Sequence, residues 1–243
     1  MSGIRFFGLA AITESGDLYT WGENRAGQLG HGDTDDRHSP TRVQGLPSVI
    51  AVDSSSHVVV ITASGDLYSW GENFWGQLGY PEHDTDSPSY IEAYDYNRTA
   101  ARNRFDGRQI DFYTTGRRTG VPKFVPGISD VIAISAAYGH TAAITANGDL
   151  YTWGYNSSGQ LGYVSYTVIS IRGTGPILYM EFTGVPTMVP GLANVVSVSL
   201  GRSNSSAVTA DGGLYTWGNA RAGLLGDGTT DNRNNPVRIT RVR

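Results

Sequence analysis

A block of fifteen residues occurs four times in this chain, and it constrains the fold more strongly than any other feature. The block reads GDLYTWGENRAGQLG at 16–30 and returns, with few changes, at 65–79, 148–162 and 212–226. Recurrence at this scale is typical of repeat architectures, in which each copy is one small unit that buries its apolar face against the next. The sequence therefore predicts four equivalent units within a single domain, 1–243.

The residues around each block predict an antiparallel hairpin. An apolar run ending in threonine precedes the block, as in VVVIT at 58–62, and a short turn with glycine follows, such as Ser64-Gly65 or Asn147-Gly148. Glycine supplies the positive φ that tight hairpin turns require. The Leu-Tyr-Thr/Ser-Trp-Gly segment is then the returning strand, in which successive side chains lie on opposite faces.

A second recurrent piece fixes the length of the repeat. It begins at Pro40, Pro122, Pro186 and Pro236. In copies one and four this proline comes ten positions after the last glycine of the block, whereas copies two and three have longer segments between them, at 80–121 and 163–185. Compared with copies one and four, these two segments contain 33 and 14 additional residues, and removal of the additional residues leaves four units of 49 residues. The chain thus contains a whole number of repeats.

The repeat resembles that of the regulator of chromosome condensation family. Residues 139–162 read GHTAAITANGDLYTWGYNSSGQLG, close to the family pattern G-H-T-x-A-[IV]-T-x-x-G-x-L-[YF]-x-W-G-x-N-x-x-G-Q-L-G. The resemblance implies an all-β fold, a β-propeller in which each repeat supplies about one four-stranded blade around a central channel. Founding members have seven repeats and this chain has four, and copy four departs from the pattern at Ala220 and Leu224, where the other copies have Asn and Gln.

The two ends of the chain look like parts of one repeat. Residues 4–9 open in the middle of a unit, and Pro236–Ile239 lacks the strand that should follow. We predict that the N- and C-terminal segments pair in one blade and close a four-bladed ring. The alternative is an open arc that another chain completes.

Composition and charge narrow the range of partners. The net charge of −4 favours neither nucleic acid nor an anionic membrane, and the absence of cysteine excludes disulfides and thiolate metal sites. No stretch approaches the eighteen apolar residues that span a bilayer, and the first residues do not form a convincing signal peptide. We expect an intracellular protein or a part of an assembled particle, without a membrane partner.

The sequence offers no pattern of catalytic, cofactor-binding or metal-binding residues. It contains no nucleophile elbow, no phosphate-binding glycine loop before a helix and no paired carboxylates near a histidine. His57 and His140 occupy one repeat position, which favours a structural hydrogen bond to the backbone over acid–base chemistry. The polar loop from His31 to His38 is interpreted as a solvated turn, because its spacing fits neither calcium nor zinc sites. We therefore predict a protein that is not an enzyme and has no cofactor.

The four repeated tryptophans are expected to pack between blades, where an indole buries a large area. Trp75 lies outside the pattern, because the other copies have Ala26, Ser158 and Ala222 at this position. An additional tryptophan in a loop is a candidate for contact with a partner.

The insertions are the predicted site of function, because specificity in repeat proteins is carried by loops on one face. Both insertions fall at the same point of adjacent copies and should lie side by side on one rim. They are rich in tyrosine, arginine and apolar residues, which are enriched at protein interfaces. The predicted partner-binding residues are Trp75, Tyr90, Tyr94, Tyr96, Arg102, Arg104, Arg108, Tyr113, Tyr166, Ile169, Tyr179, Met180 and Phe182. The alternative is that these loops pack on each other and cover the propeller face.

Three functions remain open at this point. The first is a non-catalytic scaffold that binds another protein through its insertions, for example as a structural component of a virion or a surface structure. The second is a regulator that resembles a guanine-nucleotide exchange factor for a small GTPase, as the family resemblance implies. The third is nucleic-acid binding by the Arg/Tyr-rich insertion, where tyrosine would stack on bases and arginine would neutralise phosphate.

Overall fold

A computed structural model of the protein describes residues 8–80, 90–91, 104–105, 108–109, 118–165, 167–169, 178–180 and 182–240. The regular secondary structure of these residues consists of strands and a short 3-10 helix at Arg221–Gly223, joined by turns and loops. The strands are β1 (Gly8–Ile12), β2 (Leu18–Gly22), β3 (Arg37–Arg42), β4 (Val49–Ser54), β5 (His57–Thr62), β6 (Leu67–Glu72), β7 (Tyr90–Ile91), β8 (Arg104–Phe105), β9 (Arg108–Gln109), β10 (Arg118–Phe124), β11 (Val131–Ala136), β12 (His140–Thr145), β13 (Leu150–Tyr155), β14 (Thr167–Ile169), β15 (Leu178–Met180), β16 (Phe182–Met188), β17 (Val195–Leu200), β18 (Asn204–Thr209), β19 (Leu214–Gly218) and β20 (Arg233–Arg238).

Four antiparallel sheets follow one another along the chain, one for each repeat. The strand orders are β1-β2-β3, β4-β5-β6-β10-β7, β11-β12-β13-β16 and β17-β18-β19-β20. Among the described residues, the first sheet has three strands and the other three have four or five. The predicted β-propeller of four blades is confirmed as a fold class.

The predicted hairpins form in register. In the second sheet, Ile61 pairs with Leu67 and Val58 with Trp70. The turn closes through Gly65, which has a φ of +81° and donates its N–H to the carbonyl of Thr62 at 2.9 Å. This is the left-handed conformation that glycine adopts without steric cost.

The glycine after each tryptophan lets two strands approach closely. A Cβ on Gly71 would lie 2.9 Å from the Cα of His57, and one on Gly154 would lie 2.7 Å from the Cα of His140. Both glycines also have a φ above +100°. Any side chain at these positions would force the central strand of the blade away from its neighbour.

The first insertion extends the outer edge of the second sheet, whereas the described strands of the second insertion form a sheet of their own. In the first insertion, β7 pairs with β10 at the edge of the sheet, and β8 pairs with β9. In the second insertion, β14 and β15 form a separate hairpin. The outer strands β10 and β16 begin within the segments 80–121 and 163–185, so the last few residues of each segment belong to the blade.

The core lies between consecutive sheets. Three apolar clusters each join two neighbours, and the middle one combines Val59 and Leu67 of the second sheet with Ala143 and Trp153 of the third. Strands β5 and β12 are buried on both faces, because each has a sheet on either side. The four sheets therefore stack in chain order.

The described residues do not show the predicted closure of the ring. The main contacts between sheets run from the first to the second, the second to the third and the third to the fourth. The terminal segments that closure depends on include residues 1–7 and 241–243, which lie outside the described residues. The described sheets form an arc with one uncovered face at each end.

Candidate interaction surface

The repeated tryptophans belong to the joints between blades. Trp70, Trp153 and Trp217 are fully buried. Each indole Nε1 donates to a main-chain carbonyl of the preceding blade, and the acceptors are Gln28, Gln77 and Gln160, at 2.8–2.9 Å. The interpretation of these tryptophans as packing residues is confirmed, so these three are not available to a partner. Trp21 differs, since it is only half-buried.

The two buried histidines belong to the same joints. The Nε2 of His57 lies 2.6 Å from the hydroxyl of Thr141, and that hydroxyl donates to the carbonyl of Gln77 at 2.8 Å. Because the hydroxyl proton is used in this way, His57 Nε2 carries the proton that Thr141 accepts. His140 contacts the Ser205 hydroxyl at 3.2 Å in the next joint. The expected hydrogen bonds are present, but they go to side-chain hydroxyls and not to the backbone.

Burial keeps both imidazoles neutral. Loss of solvation and, to a smaller extent, the nearby His140 together lower the pKa of His57 to about 3. Loss of solvation also lowers the pKa of His140 to about 3. A histidine in this state holds one proton for a fixed hydrogen bond and has no role as an acid–base catalyst near neutral pH.

The carboxylates of the polar loop in copy one accept hydrogen bonds from other groups of the same repeat. Asp36 accepts the N–H of Asn24 at 2.8 Å, and Asp33 accepts from the Arg37 guanidinium at 2.6 Å. In copy four, Asn232 accepts the N–H of Ala220 in the same way. Within the described ranges, no three His, Asp or Glu side chains converge as ligands of a metal ion would.

The loop of copy two lies between the points where the two insertions rejoin the propeller. The ring of Phe74 lies 6.0 Å from the guanidinium of Arg118, which begins β10 near the end of the first insertion. The ring of Trp75 contacts Tyr155 with a centroid distance of 4.4 Å. Tyr155 pairs across the sheet with Phe182, which begins β16 near the end of the second insertion. We call these five residues the Trp75 surface.

Buried polar side chains fix the loop that carries Trp75. The Asn73 side-chain oxygen accepts the N–H of Leu78 at 3.0 Å, and the Gln77 side-chain oxygen accepts the N–H of Trp75 at 2.8 Å. Asn73 and Gln77 are both buried. A Cβ on Gly76 would lie 2.6 Å from the Cα of Gly184 in β16, so the loop rests directly on the next blade. Trp75 is thus presented on a rigid base.

Charge at this surface is concentrated at Arg118. Its guanidinium donates to the main-chain carbonyl of Arg25 in the first blade at 3.0 Å. Burial raises the pKa of Glu72, and the positive charge of Arg118 opposes this increase. Arg118 therefore links the first and second blades next to the half-buried ring of Phe74.

The repeats of this chain match those of a known protein family. The family model of the regulator of chromosome condensation (RCC1) repeat matches residues 15–61, 64–98, 147–208 and 211–243, and a second model of the same repeat matches 131–160. The chain belongs to the RCC1 repeat family.

Curated relatives of this RCC1-repeat chain are much longer than it is. The ultraviolet-B receptor UVR8 of Arabidopsis thaliana is 30% identical over 231 residues, which cover 93% of this chain and 43% of UVR8. The human E3 ubiquitin-protein ligase HERC2 is 28% identical over 224 residues, or 91% of this chain and 4% of HERC2. Protein pim1 of Schizosaccharomyces pombe is 27% identical over 230 residues, or 92% of this chain and 37% of pim1.

The fold is also similar to that of a solved human protein. The structure of human WBSCR16 matches 100% of this chain with a TM-score of 0.69 and 23% identity, and the match covers 54% of the WBSCR16 chain. At this level of identity the likeness concerns the fold alone. In the described residues of the RCC1-repeat chain, no helix has the length and apolar character needed to cross a membrane.

Two of the predicted partner-binding residues, Trp75 and Phe182, come together at the Trp75 surface. The backbones of six others lie in short strands of the insertions, namely Tyr90, Arg104, Arg108, Ile169, Tyr179 and Met180. Five lie outside the described residues, namely Tyr94, Tyr96, Arg102, Tyr113 and Tyr166. The assignment of all thirteen to a partner interface stays a prediction.

Sequence reasoning missed three members of this surface. Phe74 stands where the other RCC1 repeats of the chain have Arg25, Ser157 and Arg221, and Tyr155 stands where they have Glu23, Glu72 and Asn219. Arg118 lies within the segment 80–121, and the sequence does not distinguish it from the other arginines of that insertion. A comparison of the four copies, position by position, would have marked Phe74 and Tyr155 as aromatic departures from the repeat.

Proposed function

We propose that this RCC1-repeat protein is a non-catalytic interaction module that binds a protein partner on the Trp75 surface and on the adjoining insertions. The observation that carries the proposal is the contact between Trp75 and Tyr155. Two aromatic side chains that depart from the repeat, one in the loop of copy two and one in β13 of copy three, meet on the outside of the joint between their blades.

The chemistry of the surface suits a protein partner. Tryptophan, tyrosine, phenylalanine and arginine are enriched at protein interfaces, and tryptophan, tyrosine and arginine dominate their energetic centres. Tyr155, Trp75, Phe74 and Phe182 are all half-buried, so each retains area that a partner can cover. The hydrogen bonds that the Asn73 and Gln77 side chains accept from the loop backbone fix the loop before binding. Less conformational entropy is therefore lost when a complex forms.

The position of the surface explains how the insertions would contribute. The first insertion rejoins the blade at Arg118 and the second at Phe182, and the loop with Phe74 and Trp75 lies between them. A partner seated on Trp75 would therefore be flanked by both insertions. A role in a larger assembly and a role in the regulation of a partner enzyme are two forms of this function.

A photo-crosslinking experiment tests the proposal. A photoreactive phenylalanine analogue is placed at position 75 in one variant and at position 50 in a control, because Ile50 is an exposed residue of an inner strand (59% exposed). We expect position 75 to give covalent adducts of discrete mass that contain a protein and are absent from the position-50 control. The purified partner should then bind Trp75→Ala at least tenfold more weakly.

Two outcomes would overturn the proposal. Equal adducts at both positions would mean that Trp75 has no special role in binding. Adducts removed by nuclease, with an affinity that falls steeply with salt, would favour the nucleic-acid alternative instead. A purified GTPase partner whose nucleotide release is accelerated would favour the exchange-factor form of the same protein interaction.

A further inference from the structure

In two blades an arginine of the outer strand binds the acidic turn that joins the two strands before it. Arg42 of β3 donates two hydrogen bonds to the carboxylate of Asp17 in the first blade, one of them from Nε at 2.9 Å. Arg238 of β20 donates to Asp211 in the fourth blade at 3.1 Å, and its guanidinium lies 6.0 Å from the ring centroid of Tyr215. This chain thus contains two sites in which a turn carboxylate binds a guanidinium group.

The third blade has the acidic turn but lacks the arginine. Met188 occupies the position of the arginine, opposite Tyr151 of the adjacent strand. Among the described residues, the carboxylate of Asp149 has neither a hydrogen-bond donor nor an ion-pair partner. The second blade also lacks the arginine, but there the Ser64 hydroxyl donates to the carboxylate of Asp66 at 2.8 Å. The half-buried Asp149 therefore carries a charge that no described group neutralises.

Asp149 lies in a cleft of about 400 Å³ beside the joint between the second and third blades. One wall is the segment 127–130, which leads from β10 to β11 and ends in a second carboxylate, that of Asp130. The other wall is the turn of the third blade and the strand that follows it, with four lining side chains, namely Thr145, Asn147, Asp149 and Tyr151. No lysine, arginine or histidine lines the cleft, so its charge is negative.

A buried hydroxyl in the wall of the cleft also lacks a partner. Thr145 is only 7% exposed, and its Oγ1 makes no hydrogen bond. In the second blade the equivalent hydroxyl of Thr62 bonds to that of Ser64, two positions later, at 2.9 Å, and the first and fourth blades have the same contact. Asn147 stands at that position in the third blade. A buried polar group left in this way is costly, and a ligand with N–H donors would satisfy it.

The walls of the cleft are held in place by the protein itself. The N–H of Ala146 donates to the carbonyl of Asp130 at 2.8 Å, which ties one wall to the other. Ile128 belongs to the apolar cluster that contains Trp153, and Tyr151 packs against that cluster. The joints between the described blades also pair a glycine with the indole of the next blade. A Cβ would lie 2.8–3.0 Å from the indole Nε1 in the pairs Gly30–Trp70, Gly79–Trp153 and Gly162–Trp217.

We propose that this cleft binds the guanidinium group of an arginine side chain from a partner protein, held between the carboxylates of Asp130 and Asp149. A guanidinium has five N–H donors in one plane and no acceptor, so it can bond to two carboxylates and a hydroxyl at once. The ring of Tyr151 offers an aromatic face to the cation, as the equivalent ring does in the fourth blade. Asp149 precedes β13 and Tyr155 ends it, so this site is separate from the Trp75 surface.

Two other cations fit the cleft less well. Calcium takes about 6–8 oxygen ligands, whereas no three acidic or histidine side chains converge anywhere in the part of the chain that the structure describes. An ammonium group is a point charge and lacks the planar fork that matches carboxylates. A guanidinium, in contrast, is the group that the first and fourth blades already bind at this turn.

An NMR titration of the isotope-labelled full chain with the peptide acetyl-Gly-Arg-Gly-amide tests the proposal. We expect saturable shifts of the amide signals of Ser129, Asn147 and Gly148. Asp149→Asn should bind the peptide about tenfold more weakly, which is the loss expected for a hydrogen bond to a charged group. The matched control is Asp66→Asn, which changes the corresponding carboxylate of the second blade and should keep the native affinity.

A second pair of variants tests whether the site matches those of the other blades. Met188→Arg restores the arginine that the first and fourth blades carry at this position. Its guanidinium should reach Asp149 from within the chain and compete at a high effective concentration, so that the peptide binds about tenfold more weakly. Met188→Gln has a side chain of similar length without the charge, and it should bind the peptide as the native chain does.

Several results would overturn the proposal. These are the absence of saturable shifts at the three cleft signals, equal affinity for the matching lysine peptide, and native affinity in Asp149→Asn. Native affinity in Met188→Arg would contradict it as well. Calcium chloride that moves the same signals at a lower concentration than the peptide would assign the cleft to a divalent cation instead.

Discussion

The indole of Trp153 donates to the main-chain carbonyl of Gln77, 76 residues earlier in the chain, at 2.9 Å. The hydroxyl of Thr141 donates to the same oxygen at 2.8 Å, and His57 donates to that hydroxyl. One carbonyl therefore joins two strands of the third blade to the second blade. This chain of hydrogen bonds sits beside an apolar cluster, so it fixes the relative position of the blades while the apolar contacts supply most of the stability.

We expect Trp153→Ala to reduce the free energy of unfolding by about 3–5 kcal/mol, because it removes a buried indole and leaves a cavity between two blades. Trp153→Phe should cost less, since the ring still fills part of the slot while the bond to Gln77 is lost. Urea unfolding at equal protein concentration measures both. A loss below about 1 kcal/mol for the alanine variant would show that the blades do not depend on this joint.

We expect Gly79→Ala to be more destabilising than Gly226→Ala. Both glycines have a φ of +72° to +81°, which costs an alanine about 1–2 kcal/mol. Only at Gly79 would the new methyl group also collide with Trp153, at 2.8 Å from Nε1, and overpacking of this kind adds about 1–3 kcal/mol. Urea unfolding of both variants at equal protein concentration measures the difference. Equal losses would contradict the close fit of Gly79 against the Trp153 indole.

The buried histidines should make the protein less stable in mild acid. In the unfolded chain histidine has a pKa of about 6.5, whereas burial lowers the pKa of His57 and His140 to about 3 in the folded state. The unfolded state therefore binds more protons between these values, and stability falls as the pH drops below about 6.5, by up to about 1.4 kcal/mol per pH unit for each histidine. Above this range their contribution is complete.

The matched control for this effect is the double variant His57→Asn with His140→Asn, because Asn204 occupies the same position in the fourth repeat. Unfolding by urea between pH 7 and pH 5 should show a shallower pH dependence for the double variant than for the native protein. Burial raises the pKa of Glu72, which acts in the opposite direction in both proteins. Identical slopes would mean that these imidazoles are not the source of the acid sensitivity.

Trp75→Ala should separate binding from stability. Alanine occupies the same position in two other copies, as Ala26 and Ala222, so the loop accepts it. The loss of the contact with Tyr155 should reduce the free energy of unfolding by about 1 kcal/mol, well below the effect of Trp153→Ala, while binding of the partner identified by crosslinking falls at least tenfold. A fully folded Trp75→Ala variant with native affinity would remove this surface from the proposed function.

The blades were predicted well because the residues that specify each hairpin lie close together in the sequence of each repeat. The Thr-x-x-Gly turns and the Leu-Tyr-x-Trp-Gly strands specify a hairpin within about fifteen residues, and the structure confirms that register in all four copies. The interaction surface was only partly predictable. Trp75 and Tyr155 are 80 positions apart, and nothing in the chain marks them as neighbours until the second and third blades are packed together.

The burial of the repeated tryptophans could not be predicted from the repeat pattern alone. The four copies have nearly the same sequence, yet Trp21 is half-buried and Trp70 is fully buried. Burial at this position depends on whether another blade stands in front of it, which is a property of the assembly and not of the repeat. The pattern that predicted four equal blades could not distinguish the outer two from the inner two.

The pairing of a bare glycine with the indole of the following unit has a consequence for how such proteins change in size. Since every joint uses the same two pieces, a gene that duplicates or deletes one 49-residue segment produces a new boundary that already fits. Growth by whole modules then requires no compensating substitutions, and sequence variation is left to the loops within a module, between its third and fourth strands, where the two long insertions of this chain are found.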